Sequence, residues 1–438
     1  MKIFTIISRL LVGSLFIVSG LIKANDPVGF SYKLKDYFAA DVLNMEWLVP
    51  FALVLAVVIC IVEIVLGFAT VMGSKMKPVS WLLLLMIIFF TFLTFYSAYF
   101  EKVTDCGCFG DALKLTPWQS FSKDAVLLVF VLVIFLRRKA IELNSSKEDM
   151  IYGISSLALI SIFSVGVLHN PWPFPIWFTG TILAIILILK KIKPLSTKTD
   201  QVVFVIPALL SIIFSAYVLM HLPIKDFRPY AEGKSIIEGM KDCEELTDKE
   251  CPEYMVLYKM KSTENGETKT VDSKEYLEKK LWEDKTWEIL PDETENILIN
   301  EGYEPPIHDF SITSSEEGEV TFKYLEDPNY TLIIIAYNIN NENNIEVKDK
   351  VNALAKGATG AGVSFIGLSA SSDEDVDIFR HEVQAMYAYF ATDEKTLQTI
   401  IRSNPGLLLL KAGTVIKKWH YNDLPKFDEI DVLKRTNG

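Results

Sequence analysis

Apolar residues are unevenly spread along the chain. Before residue 221 they gather into seven stretches beginning near Phe4, Trp47, Trp81, Trp118, Met150, Phe174 and Val202. Each approaches the roughly 20 residues that a helix needs to cross a bilayer core of about 30 Å. Beyond residue 221 the pattern changes to short apolar runs separated by polar segments with helical periodicity. TLIIIAY reads as a continuous apolar strand of the buried kind, VSFIGLSA as a second and MYAYFA as a third, with helical segments near residues 345–357 and 373–382 between them. DEKTLQTIIRSN predicts a helix before Pro405, followed by the strand LLLLK, a turn at Ala412-Gly413 and the strand TVIKKW. Parallel crossovers that end in a hairpin predict an α/β domain with a mixed sheet.

The first stretch, FTIISRLLVGSLFIVSGLIKA, has a long apolar run, and Ser19-Gly20-Leu21-Ile22-Lys23 is not a small-x-small cleavage site, so it reads as a retained anchor. The fifth and sixth stretches are shorter and divided only by His169-Asn170-Pro171-Trp172-Pro173, which fits either two spans or a re-entrant hairpin.

Charge sharpens the division. The 438 residues carry a net charge of −12, yet residues 1–220 hold 18 Lys and Arg against 13 Asp and Glu, while the rest hold 25 against 42. A basic, apolar half joined to an acidic, polar half is a membrane region carrying a soluble domain. The acidic half argues against nucleic acid as a partner, since phosphate recognition needs clustered positive charge. Lys75 and Lys77, then Arg137, Arg138, Lys139 and Lys147, then Lys190, Lys191, Lys193 and Lys198 fall in loops on one side, which marks that side as cytoplasmic. Seven spans with the N-terminus inside place residues 221–438 outside.

Two ionisable residues lie well within spans. Counted at 1.5 Å per residue, Arg9 is about 9 Å from the cytoplasmic end of the first helix and Glu63 about 13 Å from that of the second. Charge at such depth is costly unless paired or hydrated, so the two are expected to face each other. A register-fixing ion pair and a proton or quinone site are both compatible with such a pair.

Between the third and fourth spans the chain reads EKVTDCGCFGDALKLTPW. Cys106 and Cys108 flank one glycine on a loop expected outside, where thiols can be oxidised. A Cys-Gly-Cys disulfide closes a small, strained and therefore reducible ring, which suits thiol–disulfide exchange. A structural bridge is the alternative; a metal site would want three or four ligands, and this loop has two sulfurs and no His. Cys60 reads as a small buried hydrophobe.

RLLVGSLFIVSGLIKANDPVGF, the span ending VEIVLGF, and TDCGCFGDALKLTPWQSFSKD together resemble the DoxX-like family of four-helix membrane proteins, and specifically its MauE branch, over about the first 140 residues. MauE proteins are implicated in maturing a disulfide-rich methylamine dehydrogenase subunit, and their plan is similar to that of quinone-linked disulfide oxidases. The resemblance implies a redox role for Cys106 and Cys108, a possible quinone cofactor, and family-typical positions for Arg9, Lys23, Glu63 and Asp111.

In the exported half, HLPIKDFRPYAEGKSIIEGM is expected on the membrane surface; with EGYEPPIHDFSI it resembles Bacteroidetes-type DoxX fusion proteins. Residues 240–300 read as an α+β connector whose helical part is KEYLEKKLWEDKTWEIL. Cys243 and Cys251 at its start are expected to form a structural disulfide, or else to be the dithiol that the membrane pair oxidises. From residue 312 the pattern looks like a thioredoxin-like fold, with Asn404-Pro405 in the place of its cis-proline loop. That fold's Cys-x-x-Cys should follow TLIIIAY, but the chain continues NINNENNIEV and has no cysteine after Cys251. The domain therefore cannot exchange dithiols unaided; it could bind a client segment or position a partner over Cys106 and Cys108.

His169, His221, His308, His381 and His420 are scattered without paired-ligand spacing, so no metal site is expected, and LAKGATGAGV places its glycines after a helix and before a strand, the wrong order for a dinucleotide loop. The expected architecture is an α-helical membrane bundle, with a four-helix core over 1–140 and about three further spans over 141–220. An exported connector over 221–311 and a thioredoxin-like α/β domain over 312–438 follow. The expected function is disulfide exchange between an exported thiol protein and Cys106 and Cys108 in a bacterial inner membrane, with possible quinone coupling. A non-enzymatic membrane scaffold with a client-binding domain is the alternative.

Overall fold

The computed structural model describes residues 2–102, 107, 109–168, 171–192, 197–300 and 302–434. The N-terminal half is built from α1 (Lys2–Asn25), α2 (Pro27–Phe38), α3 (Ala52–Met72), α4 (Met76–Phe100), α5 (Pro117–Arg137), α6 (Ser146–Ser161), α7 (Phe174–Ile192) and α8 (Thr197–Met220). All but α2 belong to helices long and apolar enough to cross a membrane, seven among the described residues. The fifth runs on through a π-helical turn to Val167, so residues 146–167 and 174–192 each have the length of a span. Capping boxes at Thr116/Gln119 and Ser145/Glu148 start α5 and α6 by satisfying backbone N–H groups that no preceding turn can accept.

Helices α1 and α3 pack antiparallel at close range because glycines meet across the contact. A Cβ on Gly13 would stand 2.6 Å from Val71 Cγ2, and one on Gly67 2.7 Å from the Gly13 carbonyl oxygen. In lipid, where apolar side chains gain little by leaving their surroundings, such small residues let backbones approach and dispersion act. The large side chains point outward instead: Trp81, Leu85, Phe92, Leu136 and Trp177 are all exposed on the bundle surface, as lipid contact requires.

The connector holds α9 (Ile236–Met240), β1 (Glu253–Ser262), β2 (Thr268–Asp272), α10 (Ser273–Glu278), β3 (Trp287–Ile289) and β4 (Glu295–Asn300). Its sheet is antiparallel, with β2, β3 and β4 all paired to β1, and a Cys243–Cys251 disulfide precedes it. The helix expected over KEYLEKKLWEDKTWEIL stops at Glu278. Lys280 turns into the left-handed region at φ 48°, and Trp287 and Ile289 pair with Ser262 and Met260. An open edge of β1 thus overrides the local helical periodicity with a tertiary pairing.

The C-terminal region comprises β5 (Thr313–Ser314), β6 (Gly318–Glu319), α11 (Thr321–Leu325), β7 (Tyr330–Ile335), α12 (Glu342–Glu346), α13 (Lys348–Gly360), β8 (Ser364–Ser369), α14 (Asp373–Val383), β9 (Tyr389–Ala391), α15 (Glu394–Ile400), β10 (Gly406–Lys411), β11 (Thr414–His420) and α16 (Asp431–Lys434). The sheet order is β11-β10-β7-β8-β9-β5-β6, with β7, β8 and β9 parallel and β10 and β11 antiparallel to their neighbours. The Asn404–Pro405 peptide is cis and leads into β10. A central parallel pair, joined by helices and flanked by a hairpin entered through a cis-proline, is the thioredoxin-like arrangement. Alternating residues bury both faces: Leu332, Ile334, Leu407 and Leu409 on one, Ile333, Ile335, Leu408 and Leu410 on the other. The segment after α8, with the start of α9, packs against this sheet: Gly233 donates to the Val415 carbonyl at 2.7 Å, Val415 donates to the Lys234 carbonyl at 2.9 Å, and Ile236 is fully buried.

Candidate functional site

The two halves meet where α2 faces the cis-proline end of the sheet. Helix α2 lies between the first two spans, outside the seven apolar stretches. Asp26 caps it, accepting from the Gly29 amide at 2.8 Å, and Pro27 fills the first turn, where its missing N–H costs nothing. Phe30, Leu34, Tyr37 and Phe38 turn into the bundle, and Tyr37 pairs its hydroxyl with Ser97 of α4 at 3.0 Å. The polar side of α2 faces the C-terminal domain.

Across that gap stands Arg402, three residues before Pro405. Its Nε donates to both Asp26 oxygens, at 2.9 and 3.1 Å, its Nη1 donates to the Gln398 carbonyl, and its Nη2 lies 3.7 Å from Asp111. A Cβ on Gly29 would stand 2.6 Å from Arg402 Nη2, so a glycine is what lets the guanidinium close on the cap. The Arg402 guanidinium lies 5.4 Å from the Tyr32 ring centroid, and the Tyr32 hydroxyl is 3.4 Å from that of Tyr337, which follows β7. Burial, then the neighbouring Tyr337, push the Tyr32 phenol well above its ordinary range.

The end of the thioredoxin-like domain presented here is the end where that fold carries its dithiol. In this chain Tyr337-Asn338-Ile339-Asn340 follows β7. Asn404 Nδ2 donates to the Asn338 carbonyl at 2.8 Å and Asn343 Nδ2 donates to the Asn404 carbonyl at 3.3 Å. Amides thus hold the cis-proline loop against the segment where thiols would otherwise act.

Between the halves lies a cavity of about 350 Å³ lined by Lys23, Asp26, Tyr32, Lys33, Gly107, Gly110, Asp111, Arg228 and Arg402, among others. Cys106 and Cys108 lie outside the described residues. Gly107 between them is described: it is buried, takes φ +67°, and a Cβ there would stand 3.2 Å from Lys33 Cγ. A glycine meets both the backbone angle and the close approach. Phe109 is also buried, packs its ring tilted against that of Phe163 at 5.0 Å between centroids, and lines a second, apolar cavity of about 390 Å³ within the bundle. Leu11, Leu15, Phe16, Ile87, Phe90, Leu127 and Phe130 form much of its apolar wall, and Ser19, Ser122, Lys123 and Asp124 also line it.

Lys23 borders both cavities. Its ammonium pairs with Glu63 and lies 4.9 Å from the Phe90 ring centroid and 5.3 Å from that of Phe30. The expected Arg9–Glu63 pair does not form. Arg9 donates instead to the carbonyls of Thr70 at 3.1 Å and Val71 at 3.0 Å and to Asn144 Oδ1 at 2.8 Å. The register explains the difference: the first turns of α1 overhang the end of α3, so Arg9 is level with that helix's last carbonyls and caps them, while Glu63 is level with Gly20 and Lys23. Arg9 is far from either of these cavities.

On the domain side, Asp226 accepts from Arg228 at 2.7 Å and from Lys418. Burial alone would raise the Asp226 carboxyl, but the two cations hold it well below the usual carboxylate range. Burial and Arg228 lower Lys418 to about 8 against the opposing pull of Asp226. Asn25 and Lys225 exchange hydrogen bonds, Nδ2 to carbonyl at 2.7 Å and amide to Oδ1 at 3.2 Å, fastening the segment after α8 to the end of α1.

This bundle, with its glycine contacts and its buried Lys23–Glu63 pair, has a recognisable match. Residues 1–137 are a MauE family domain, matching the model described as methylamine utilisation protein MauE. The chain is also 27% identical over 168 residues to Protein TlpB of Flavobacterium psychrophilum, covering 35% of this chain and 42% of that protein, so it spans under half of that relative's length. Among solved structures, a Bacteroides thetaiotaomicron protein described as a candidate protein disulfide isomerase aligns at 15% identity with a TM-score of 0.24, over 30% of this chain and 84% of that one. The bacterioferritin comigratory protein of Xanthomonas campestris aligns at 15% identity with a TM-score of 0.23, over 30% and 92%. In the MauE domain, α2 with Gly107, Gly110 and Asp111 forms the surface on which the thioredoxin-like domain rests. Asp26, Tyr32, Tyr337 and Arg402 were not singled out in the sequence. Asp26-Pro27 is a readable helix start, whereas nothing local marks Arg402 as the partner of a residue 376 positions away.

Proposed function

We propose that this protein exchanges disulfides with an exported thiol protein through Cys106 and Cys108, in a maturation role like the one that the MauE resemblance implies. The observation that carries the reading is that Gly107, the residue joining the two cysteines, lines a cavity roofed by a thioredoxin-like domain at the end where such domains do redox work. A partner dithiol gives two electrons and two protons to a Cys106–Cys108 disulfide and leaves oxidised. A membrane-soluble quinone then accepts two electrons and two protons from the Cys106–Cys108 dithiol, becoming a hydroquinone and restoring the disulfide. The apolar cavity beside Phe109, closed at one end by Lys23 and Glu63, is of the kind that takes a ring with an isoprenoid tail, and Glu63 rather than Arg9 is the residue placed to meet it. We read the Arg9 end of the bundle as cytoplasmic and the thioredoxin-like domain as periplasmic, at an inner membrane, a reading supported by the cationic residues Lys75, Arg137, Arg138 and Lys190 gathered at the Arg9 end.

The test is trapping. A Cys108→Ser variant expressed in its host should accumulate a mixed disulfide between Cys106 and an exported protein, resolved by reductant and identified by mass. Replacing both cysteines should leave that partner reduced. An empty trap, with partner redox states unchanged in the double variant, would leave a non-enzymatic membrane scaffold as the better reading.

A further inference from the structure

A third cavity, of about 180 Å³, lies at the Arg9 end of the bundle. There Lys2 and Arg9 of α1 meet Arg137 at the end of α5, Glu142 in the turn that follows, and Glu148 and Tyr152 of α6. We infer that this cavity holds the phosphate of a phospholipid headgroup from the leaflet at that end of the bundle.

Charge calls for an anion. Arg9 is only 6% exposed, and its Nε and Nη2 are spent on the Thr70 and Val71 carbonyls and the Asn144 amide oxygen. The end of α3 answers about half of the guanidinium charge, and among the described residues no acceptor meets Nη1. Nor does any described carboxylate oxygen lie within 4.0 Å of a charged nitrogen of Lys2, Arg9 or Arg137. The acidic neighbours are committed elsewhere. Glu148 accepts from the Ser145 amide and hydroxyl, both at 2.8 Å, as part of the cap of α6, and Asp149 accepts from Lys190 at 2.6 Å. Glu142 is exposed. The Tyr152 ring centroid lies 5.3 Å from the Arg9 guanidinium, an attraction that steadies the cation without bringing a negative charge. A guanidinium buried without a counterion is costly, and a phosphate oxygen on Nη1 removes that cost.

Depth points to lipid as the source. Arg9 is level with carbonyls in the last three residues of α3, and Arg137 is the last residue of α5. Both stand where the apolar spans stop, which is the level of headgroup phosphates, and Lys2 reaches about two turns farther out on the overhang of α1. Ile3 and Leu136, next in sequence to Lys2 and Arg137, are exposed apolar residues over which acyl chains can run outside the cavity. Basic pockets between spanning helices at a membrane surface are suited to anionic headgroups.

The experiment uses the full-length protein in detergent, with dioctanoyl-phosphatidylglycerol, dioctanoylglycerol and inorganic phosphate as probes. Lipid binding is read by native mass spectrometry, and all three probes by the rise in melting temperature. The tightest phosphatidylglycerol site is expected to weaken about tenfold in Arg137→Gln and to tighten about threefold in Glu142→Gln, which removes a competing carboxylate. Arg138→Gln should leave it unchanged, because that guanidinium is turned onto the carbonyl and ring of Phe135 and does not line the cavity. Dioctanoylglycerol, which has the tails without the phosphate, should leave the melting temperature where it was. Arg9 is kept because it caps α3; Lys2→Gln, on the exposed overhang, gives the same weakening by a second route that does not touch the packing of the bundle. Equal loss in the Arg137 and Arg138 variants would overturn the site and leave a diffuse positive surface. Affinity unmoved by Arg137→Gln, Lys2→Gln and Glu142→Gln would overturn it as well. Inorganic phosphate bound as tightly as the lipid, with the same dependence on Arg137, would support the phosphate pocket and overturn its lipid source.

Discussion

Lys23 and Glu63 form an ion pair enclosed between α1 and α3, each side chain 3% exposed. It lies between the two cavities and is the link between their chemistry and the packing of the bundle. Lys23→Met alone strands a carboxylate in an apolar interior and is expected to cost about 3–5 kcal/mol, whereas Lys23→Met with Glu63→Leu should recover most of the loss. Thermal unfolding of the purified variants checks this. A double variant as unstable as the single one would mean that the stranded carboxylate is not the source of the loss.

Gly67 faces the Gly13 carbonyl oxygen and the Ile17 amide, at 2.7 and 3.0 Å from where a Cβ would be. Backbone cannot step aside as a side-chain tip can. Gly67→Ala is therefore expected to destabilise the bundle by about 1–3 kcal/mol, more than Gly153→Ala, whose nearest neighbour would be a leucine methyl at 3.4 Å. Melting temperatures of the two variants side by side decide it.

How much of this was legible beforehand differs by feature. The seven spans show in the sequence because each is a run that only lipid tolerates, and the strands of the thioredoxin-like sheet show because a core buried on both faces demands continuous apolar residues such as TLIII and LLLL. Helix partners are harder to read. Depth counting put Arg9 beside Glu63 because it assumed that the start of α1 is level with the end of α3, and the overhang of α1 is set by glycine contacts that no single helix reveals. Strand β3 was hidden in a helical pattern because its pairing partner lies 25 or more residues earlier, at Met260 to Ser262. The Asp26–Arg402 contact joins sequence positions with no local signature in common.

His420, at the end of β11, is 3% exposed. Burial lowers its pKa to about 4, against the opposing pull of Asp423. In the unfolded chain a histidine titrates near 6.5, so between these values the unfolded state binds the extra proton and acid favours unfolding. Stability of the domain should be full above about pH 6.5 and fall as pH drops toward 4, and His420→Gln should flatten this window. Asp226 adds a second decline at lower pH, because its depressed carboxyl must be protonated there. Unfolding followed by tryptophan fluorescence across this range would show the two steps. A His420→Gln profile identical to wild type between pH 4 and about 6.5 would contradict the assignment.

Leu127 lines the apolar cavity from α5. Leu127→Trp fills part of it, and is expected to slow reoxidation of Cys106 and Cys108 by an added short-chain quinone about tenfold or more while leaving their reduction by a dithiol unchanged. Stopped-flow alkylation of the thiols separates the two half-reactions. If both rates hold steady, the electrons leave by another route.

The distribution of sulfur has a practical outcome. Cys60 is sealed inside the bundle and Cys243 is tied to Cys251, which leaves Cys106 and Cys108 as the remaining cysteines of the sequence. With the Cys243–Cys251 bridge kept and the Cys106 and Cys108 pair reduced, a thiol reagent added to the folded protein therefore reports on one loop without any engineered background, and every change in its signal can be assigned to two residues of the sequence.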